Sequence, residues 1–234
     1  MTEPAVPAFA VVGRVNKGKS SVVSTLVEDD GVRVDKEPGT TRVCTRFPFR
    51  ADDGRVLCAA IDTPGFEEAP RALAWLQERE SSAADRSALV ARFVATFRGG
   101  AEFADECALL TPILDGAAIL YVVDASLPYR RNYEAEMEIL RWTGRPRMAL
   151  VNRIGGDDHV DEWKRALNQY FSVVRDFDAH RSGFAERIGL LRAFRELDDA
   201  ARPASTRPCA HSRPIGNGVA SAPRRSSPSS SPTG

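Results

Sequence analysis

The chain has 234 residues, 43% of them apolar, enough to bury one α/β domain with a short appendage. Its 32 basic and 32 acidic side chains balance to zero formal charge, which argues against broad electrostatic capture of nucleic acid. The longest apolar run, residues 116–123, is far shorter than the roughly 20 residues a membrane-spanning helix needs, so no transmembrane segment is expected.

Residues 1–9 carry an acid and two prolines and no basic stretch, so no secretory leader is expected. The four cysteines, Cys44, Cys58, Cys107 and Cys209, form no CxxC pair and suit reduced thiols in a cytoplasmic protein.

In chain order, residues 8–13 (Ala-Phe-Ala-Val-Val-Gly) read as a buried parallel strand ending in glycine. Residues 20–27 read as a helix, stopped at Glu28-Asp-Asp-Gly31, and residues 31–42 as a polar loop containing Pro38-Gly39. Residues 43–50 and 55–61 are strand-like and flank Asp53-Gly54, a hairpin signal. Residues 69–115 are rich in Ala, Leu, Arg and Glu and read as mostly helical, broken at Arg98-Gly-Gly100. A buried strand follows at 116–124, then a helix at 132–142 with Asn132 as its N-cap, a strand at 147–152, a helix at 157–170, a strand at 171–177 and a helix at 180–197. Glu134 and Glu138 are expected on a solvated face.

Alternating strands and helices imply a three-layer α/β fold, mostly parallel, with one antiparallel edge hairpin. The domain is expected over residues 1–198, with 69–115 as a helical insertion. Residues 199–234 hold eight serines, six prolines and five arginines but no acid past Asp199, and are expected to be a disordered tail.

Gly13-Arg-Val-Asn-Lys-Gly-Lys-Ser20 fits the phosphate-loop pattern GxxxxGK[ST], placed between a strand and a helix. Glycines let the backbone wrap so that N–H groups face phosphate oxygens, and the helix N-terminus adds positive potential. Gly13, Asn16, Lys17, Gly18, Lys19, Ser20 and Ser21 are thus expected to line a nucleoside triphosphate, with Lys19 on the β- and γ-phosphates and the Ser20 hydroxyl on Mg²⁺. Asp62-Thr-Pro-Gly65 ends a strand, where Asp62 can hold Mg²⁺ through water and the Gly65 N–H can reach the γ-phosphate. Between them, Pro38-Gly-Thr-Thr-Arg42 offers Thr41, with Thr40 in reserve, to complete the metal shell and sense the γ-phosphate.

These motifs resemble the Era-like (TrmE-Era-EngA-type) GTPases over about residues 8–198: Asn16 in the loop, Gly39-Thr-Thr-Arg42, and Asp62-Thr-Pro-Gly65. The likeness is nearest to bacterial GTPases in which this domain precedes a C-terminal domain of unknown function; past Leu197, where the resemblance implies that domain, the sequence turns rich in Ser, Pro and Arg, as truncation, a frameshift or a natural linker would each produce. The resemblance implies hydrolysis of GTP to GDP as a switch, dependent on Mg²⁺, with K⁺ held beside Asn16 as a fixed positive charge. It also implies protein effectors, for which helices 69–115 are the candidate surface, while a ribosome or nucleic-acid partner has no support in the residues.

The base-recognition residues depart from the family. Asn152-Arg-Ile-Gly155 stands where NKxD is usual, so Asn152 and the Arg153 stem are in place but the carboxylate is missing, with Asp157 and Asp158 as substitutes or as caps of the next helix. Phe177-Asp178-Ala179 replaces the usual Ser-Ala turn, with the Ala179 N–H facing the purine. Phe66 stands where many small GTPases carry a water-orienting glutamine. Two other readings therefore stand beside the GTPase: a nucleotide-binding interaction module with little turnover, and an ATPase. Arg42, Arg71 and Arg79 read as surface arginines, and Trp75 and Leu76 as packing residues.

Overall fold

The computed structural model describes residues 6–14, 19–27, 44–50, 54, 56–153 and 159–178, with residues 189, 193 and 196. The tail expected over 199–234 lies outside the described residues. So does most of the helix expected over 180–197, of which residues 189, 193 and 196 are helical.

The elements are β1 (Ala8–Val12), α1 (Lys19–Val27), β2 (Thr45–Arg50), β3 (Val56–Asp62), α2 (Ala69–Gln77), a 3₁₀ turn (Ala83–Asp85), α3 (Arg86–Phe97), α4 (Ala104–Leu114), β4 (Ala118–Asp124), α5 (Asn132–Trp142), β5 (Arg147–Asn152), α6 (Val160–Leu167) and β6 (Val173–Phe177). They form one six-stranded sheet of order β2-β3-β1-β4-β5-β6. Only the edge pair β2–β3 is antiparallel, running from Thr45↔Asp62 to Arg50↔Val56 with a bulge between Phe49 and Arg50. Pro48 is tolerated there because an edge strand leaves one side without ladder bonds. Gly54, in the hairpin turn, has φ +80°, as an Asp-Gly turn demands.

The central strands are apolar on both faces because helices cover both. Ala10, Val12, Ile119, Tyr121 and Val123 point to the face packed by the helices that follow β3. Phe9, Val11, Leu120, Val122 and Leu150 point to the other, against Val22 and Val23 of α1. The alternation is the period of two of a pleated strand.

The 69–115 segment folds as α2, α3 and α4 around a small aromatic core. Trp75, Phe93, Phe97 and Phe103 meet with ring centroids 4.8 to 5.6 Å apart, edge-on or tilted as ring quadrupoles favour. The break falls at Gly99 (φ +84°) as expected, and Phe103 enters α4 in the left-handed region at φ 54°. That conformation is costly for an aromatic residue, and burial of the ring against Phe93 and Phe97 holds it.

Several boundaries differ from the expectations, among them that β4 begins at Ala118 rather than residue 116. Asn132 is the first residue of α5 rather than its cap, and Arg131 at the cap position makes no side-chain cap bond. Helix α6 ends at Leu167 instead of continuing to Tyr170, and β6 begins at Val173 rather than residue 171. In both cases residues 168–172 turn so that Phe171 can bury and stack on Tyr121 at 5.3 Å, and tertiary packing overrides local propensity.

Strand β1 feeds α1 toward one side of the sheet, while β3 crosses to β4 on the other. The strand order therefore reverses at β1, which opens a crevice at the carboxyl ends of the strands. Gly13 sits at the mouth of that crevice with φ +144°, and a Cβ there would lie 2.5 Å from the Val122 carbonyl oxygen. The expected outcome for Gly13→Ala is a loss of at least about 2 kcal/mol in stability, from backbone strain and clash together, read as a lowered urea midpoint with an unchanged slope.

Candidate functional site

The site is built where β1, β3 and α1 converge. Lys19 opens α1 and is 7% exposed, with its Nζ donating to the Arg14 carbonyl at 2.8 Å. Burial lowers its pKa to about 8, opposed by Asp62, Glu136 and Asp105. An ammonium so poorly hydrated gains strongly from an incoming anion. Ser20, the next residue, donates from Oγ to Asp62 Oδ2 at 2.8 Å. Asp62 is 4% exposed at the end of β3. The fold thus brings together two residues 42 positions apart that the motifs assign to one metal.

A hydroxyl and a carboxylate are hard oxygen donors, the kind Mg²⁺ prefers, so this pair fits the cation that the family implies. Among the described residues, no group of three or more His, Cys, Asp and Glu could hold a metal by itself.

Beyond Asp62 the backbone is pinned. Thr63 is fully buried and donates from Oγ1 to the Val11 carbonyl at 2.8 Å. The Phe66 N–H donates to the Gly13 carbonyl at 3.3 Å, so residues 63–66 run beside the phosphate loop. Gly65 is buried within this stretch. The Phe66 ring is 2% exposed and belongs to the core; it packs, and has no part in handling water.

Arg14, the second residue of the loop, ties it to α5. Its Nε lies 2.9 Å from Glu136 Oε1, and its guanidinium carbon 5.0 Å from the centre of the Tyr133 ring. The Tyr121 hydroxyl donates to Glu136 Oε2 at 2.9 Å. Glu136 is fully buried, and burial raises its pKa to about 8, against the pull of Tyr121, Arg14 and Lys19. Neither this residue nor Glu106, also buried, was among the sequence candidates. A signal existed: Glu136 falls in the apolar stripe of α5 with Tyr133, Met137 and Leu140, and Glu106 in that of α4 with Leu109, Leu110 and Ile113. Glu134 and Glu138 are also not on a solvated face. Glu134 accepts from the Tyr129 hydroxyl, and Glu138 from the Trp142 indole and Arg141.

At the far end of the crevice, Asn152 closes β5 and is fully buried, with its carbonyl accepting from the Ala125 N–H at 3.0 Å. Arg153 donates its backbone N–H to the Phe177 carbonyl at 3.0 Å, and its guanidinium pairs with Asp176 at 2.7 Å. Asp178 follows β6 directly. These three residues share one edge of the sheet because Asn152 and Phe177 are register partners. Ser21 is exposed on α1. Asn16, Lys17, Gly18, Thr40, Thr41, Arg42, Asp157, Asp158 and Ala179 lie outside the described residues. The surface reading of Arg71 and Arg79 holds, as does packing for Trp75 and Leu76.

A phosphate-binding turn between the first strand and helix, with an aspartate brought to it from a neighbouring strand on a mostly parallel sheet, defines a P-loop nucleoside triphosphatase domain. The family model described as 50S ribosome-binding GTPase matches residues 8–153, and the chain belongs to that family. It is 28% identical over 198 residues to GTPase Der of Stenotrophomonas maltophilia (strain R551-3), covering 83% of this chain and 33% of that protein. Against GTPase Der of Streptomyces coelicolor it is 28% identical over 151 residues, covering 64% and 26%. A solved structure of Era in complex with MgGDPNP and nucleotides 1506-1542 of 16S ribosomal RNA superposes at TM-score 0.49 and 18% identity, covering 81% of this chain and 56% of that one. The chain spans about a third of the length of the Stenotrophomonas relative.

A carboxyl whose folded pKa lies above its unfolded value binds an extra proton in the native state, so stability falls as pH rises between the two values. For Glu136 that window runs from 4.5 to about 8. Thermal melts across it are expected to show this decline, and Glu136→Gln is expected to flatten it. An unaltered slope in the variant would contradict the assignment.

Proposed function

We propose that this chain binds GTP with Mg²⁺ and hydrolyses it to GDP and phosphate, acting as a nucleotide-dependent switch. The observation that carries the reading is the convergence of buried Lys19 with the Ser20–Asp62 contact at the mouth of the crevice. Ser20 and Asp62, with Thr41, would hold the magnesium, which when bound neutralises phosphate charge and orients the triphosphate.

Water attacks the γ-phosphorus in line; its oxygen–phosphorus bond forms as the bond to the β–γ bridging oxygen breaks, and the water protons end on the released phosphate and solvent. Lys19 meets the charge that develops on the β–γ oxygens, and its exchange of the Arg14 carbonyl for a phosphate offsets part of the cost of its burial. N–H groups of the loop, with Gly13, Asn16, Lys17, Gly18 and Ser21, cradle the α- and β-phosphates. The Gly65 N–H faces the γ-phosphate, and Thr41 senses it from the opposite side. Loss of those two contacts after hydrolysis frees their segments, which is the switch. Asn152, the Arg153 stem, Asp178 and Ala179 would frame the purine, with preference for guanine resting on family membership.

Phe66, standing where many small GTPases carry glutamine, has no polar group to orient water, so a fixed cation beside Asn16 would supply the missing stabilisation. Single-turnover hydrolysis is expected to run at least about tenfold faster in K⁺ than in Na⁺; equal rates would dispose of the monovalent cation. Phe66 and the departure from the usual base motif at Asn152-Arg-Ile-Gly155 favour a second reading, a binding module with little turnover, and phosphate release that stays absent under every ion condition would select it. Competition of GTP and ATP for a fluorescent analogue separates the GTPase from an ATPase.

Lys19→Ala is expected to lower phosphate release at least about a hundredfold and to remove most nucleotide affinity in calorimetry. Turnover like that of the unaltered chain would contradict the assignment. Cytoplasmic location and effector binding through residues 69–115 extend the same proposal.

A further inference from the structure

Helix α4 ends the 69–115 segment, and its first turn lies against the chain that follows Gly65. Glu106, 1% exposed, accepts the Glu67 N–H at 2.9 Å and the Glu68 N–H at 2.6 Å on a single carboxylate oxygen, Oε1. These are the first two residues after the Gly65-Phe66 turn and the last two before α2. Helix α2 has no cap of its own, since the Glu68 side chain makes no cap bond and pairs with Arg71. A carboxylate placed at those N–H groups meets both the unsatisfied donors and the positive end of the helix, so Glu106 caps α2 from another helix.

Other contacts register α4 against α2 at the same place. Phe103 holds its left-handed backbone inside the aromatic core, and the Arg71 guanidinium sits 5.1 Å from its ring centre while pairing with Glu102 at 2.9 Å. The helix also reaches the other side of the site. The Cys44 thiol, two residues after Arg42, donates to the Ala108 carbonyl at 3.2 Å. One helix therefore holds the chain flanking both segments that the GTPase reading assigns to γ-phosphate sensing. Arg71–Glu102 is exposed and contributes little, whereas a buried carboxylate with two charge-assisted bonds contributes more.

The geometry points to Glu106 as a positioning residue: by capping α2 in trans it sets where the Gly65 N–H stands, and so how strongly the site prefers a triphosphate over a diphosphate. This rests on the GTPase reading, because only that reading gives Gly65 a γ-phosphate to meet. It predicts a split by ligand. A diphosphate leaves Gly65 without a partner, so its affinity depends on the phosphate loop and the residues that frame the purine, and not on where Gly65 stands.

The test measures affinity for GDP and for a non-hydrolysable imido analogue of GTP, with Mg²⁺, in the full chain and in Glu106→Ala and Glu106→Gln, alongside thermal midpoints. Glu106→Ala is expected to lose about tenfold in the ratio of analogue to GDP affinity, with GDP affinity within about twofold of native. Glu106→Gln keeps an amide oxygen able to accept both N–H groups and fills the same volume, so it is expected to retain most of the ratio and to fold even if the alanine variant does not. Equal loss for both nucleotides, tracking a lowered midpoint, would reduce Glu106 to a structural residue and overturn the inference. A ratio that stays native in Glu106→Ala, or a glutamine variant as impaired as the alanine one, would also overturn it. An unaltered chain that binds neither nucleotide would instead overturn the GTPase reading beneath it.

Discussion

The close approach of the β1–α1 turn to the backbone of β4 is the constraint on which the site depends. At Gly13 the chain leaves the sheet with φ +144°, and the Val122 carbonyl occupies the space a side chain would need. Helix α1 begins at Lys19, and its first two side chains turn toward Arg14 and Asp62. Lys19 then buries its stem and Ser20 reaches Asp62. Two aligned strands and one glycine thereby convert distant residues into a single polar cluster.

Burying a lysine beside two acids is costly unless the charges are ordered. The order here is layered. Asp62 faces Ser20, Lys19 leans on the Arg14 carbonyl, and the Arg14 side chain turns away to Glu136, which Tyr121 also binds. Each group stabilises the next, and the chain of contacts runs from the loop through the core to α5. Such a network resists displacement of Arg14 and Lys19 from their places.

The helices of the 69–115 segment pack inward rather than standing off as an appendage. Their rings form a satellite core, and α4 touches the chain flanking the site twice: the Glu106 carboxylate accepts from the N–H groups of residues 67–68, and the Ala108 carbonyl accepts from the Cys44 thiol. A segment that looks like an insertion in length behaves as part of the frame, held against Cys44 and residues 67–68.

Much of this was legible in the residues themselves. Continuous apolar runs over 118–124 and 147–152 mark strands buried on both faces, and glycine, lysine and serine spacing marks the phosphate loop, because both signals are local: a strand's period and a turn's geometry are set by neighbours in the chain. The hairpin, the break at Gly99 and the helical character of 69–115 were local in the same way. What only the tertiary structure decided was which charged residues turn inward. Glu106 and Glu136 look like ordinary helix glutamates, and Phe66 like a vacant catalytic position, because a side chain's charge says nothing of the partner waiting for it. Burial of an acid is decided by a guanidinium, a hydroxyl or two backbone N–H groups supplied from elsewhere in the fold, and those meetings exist only once the layers have packed.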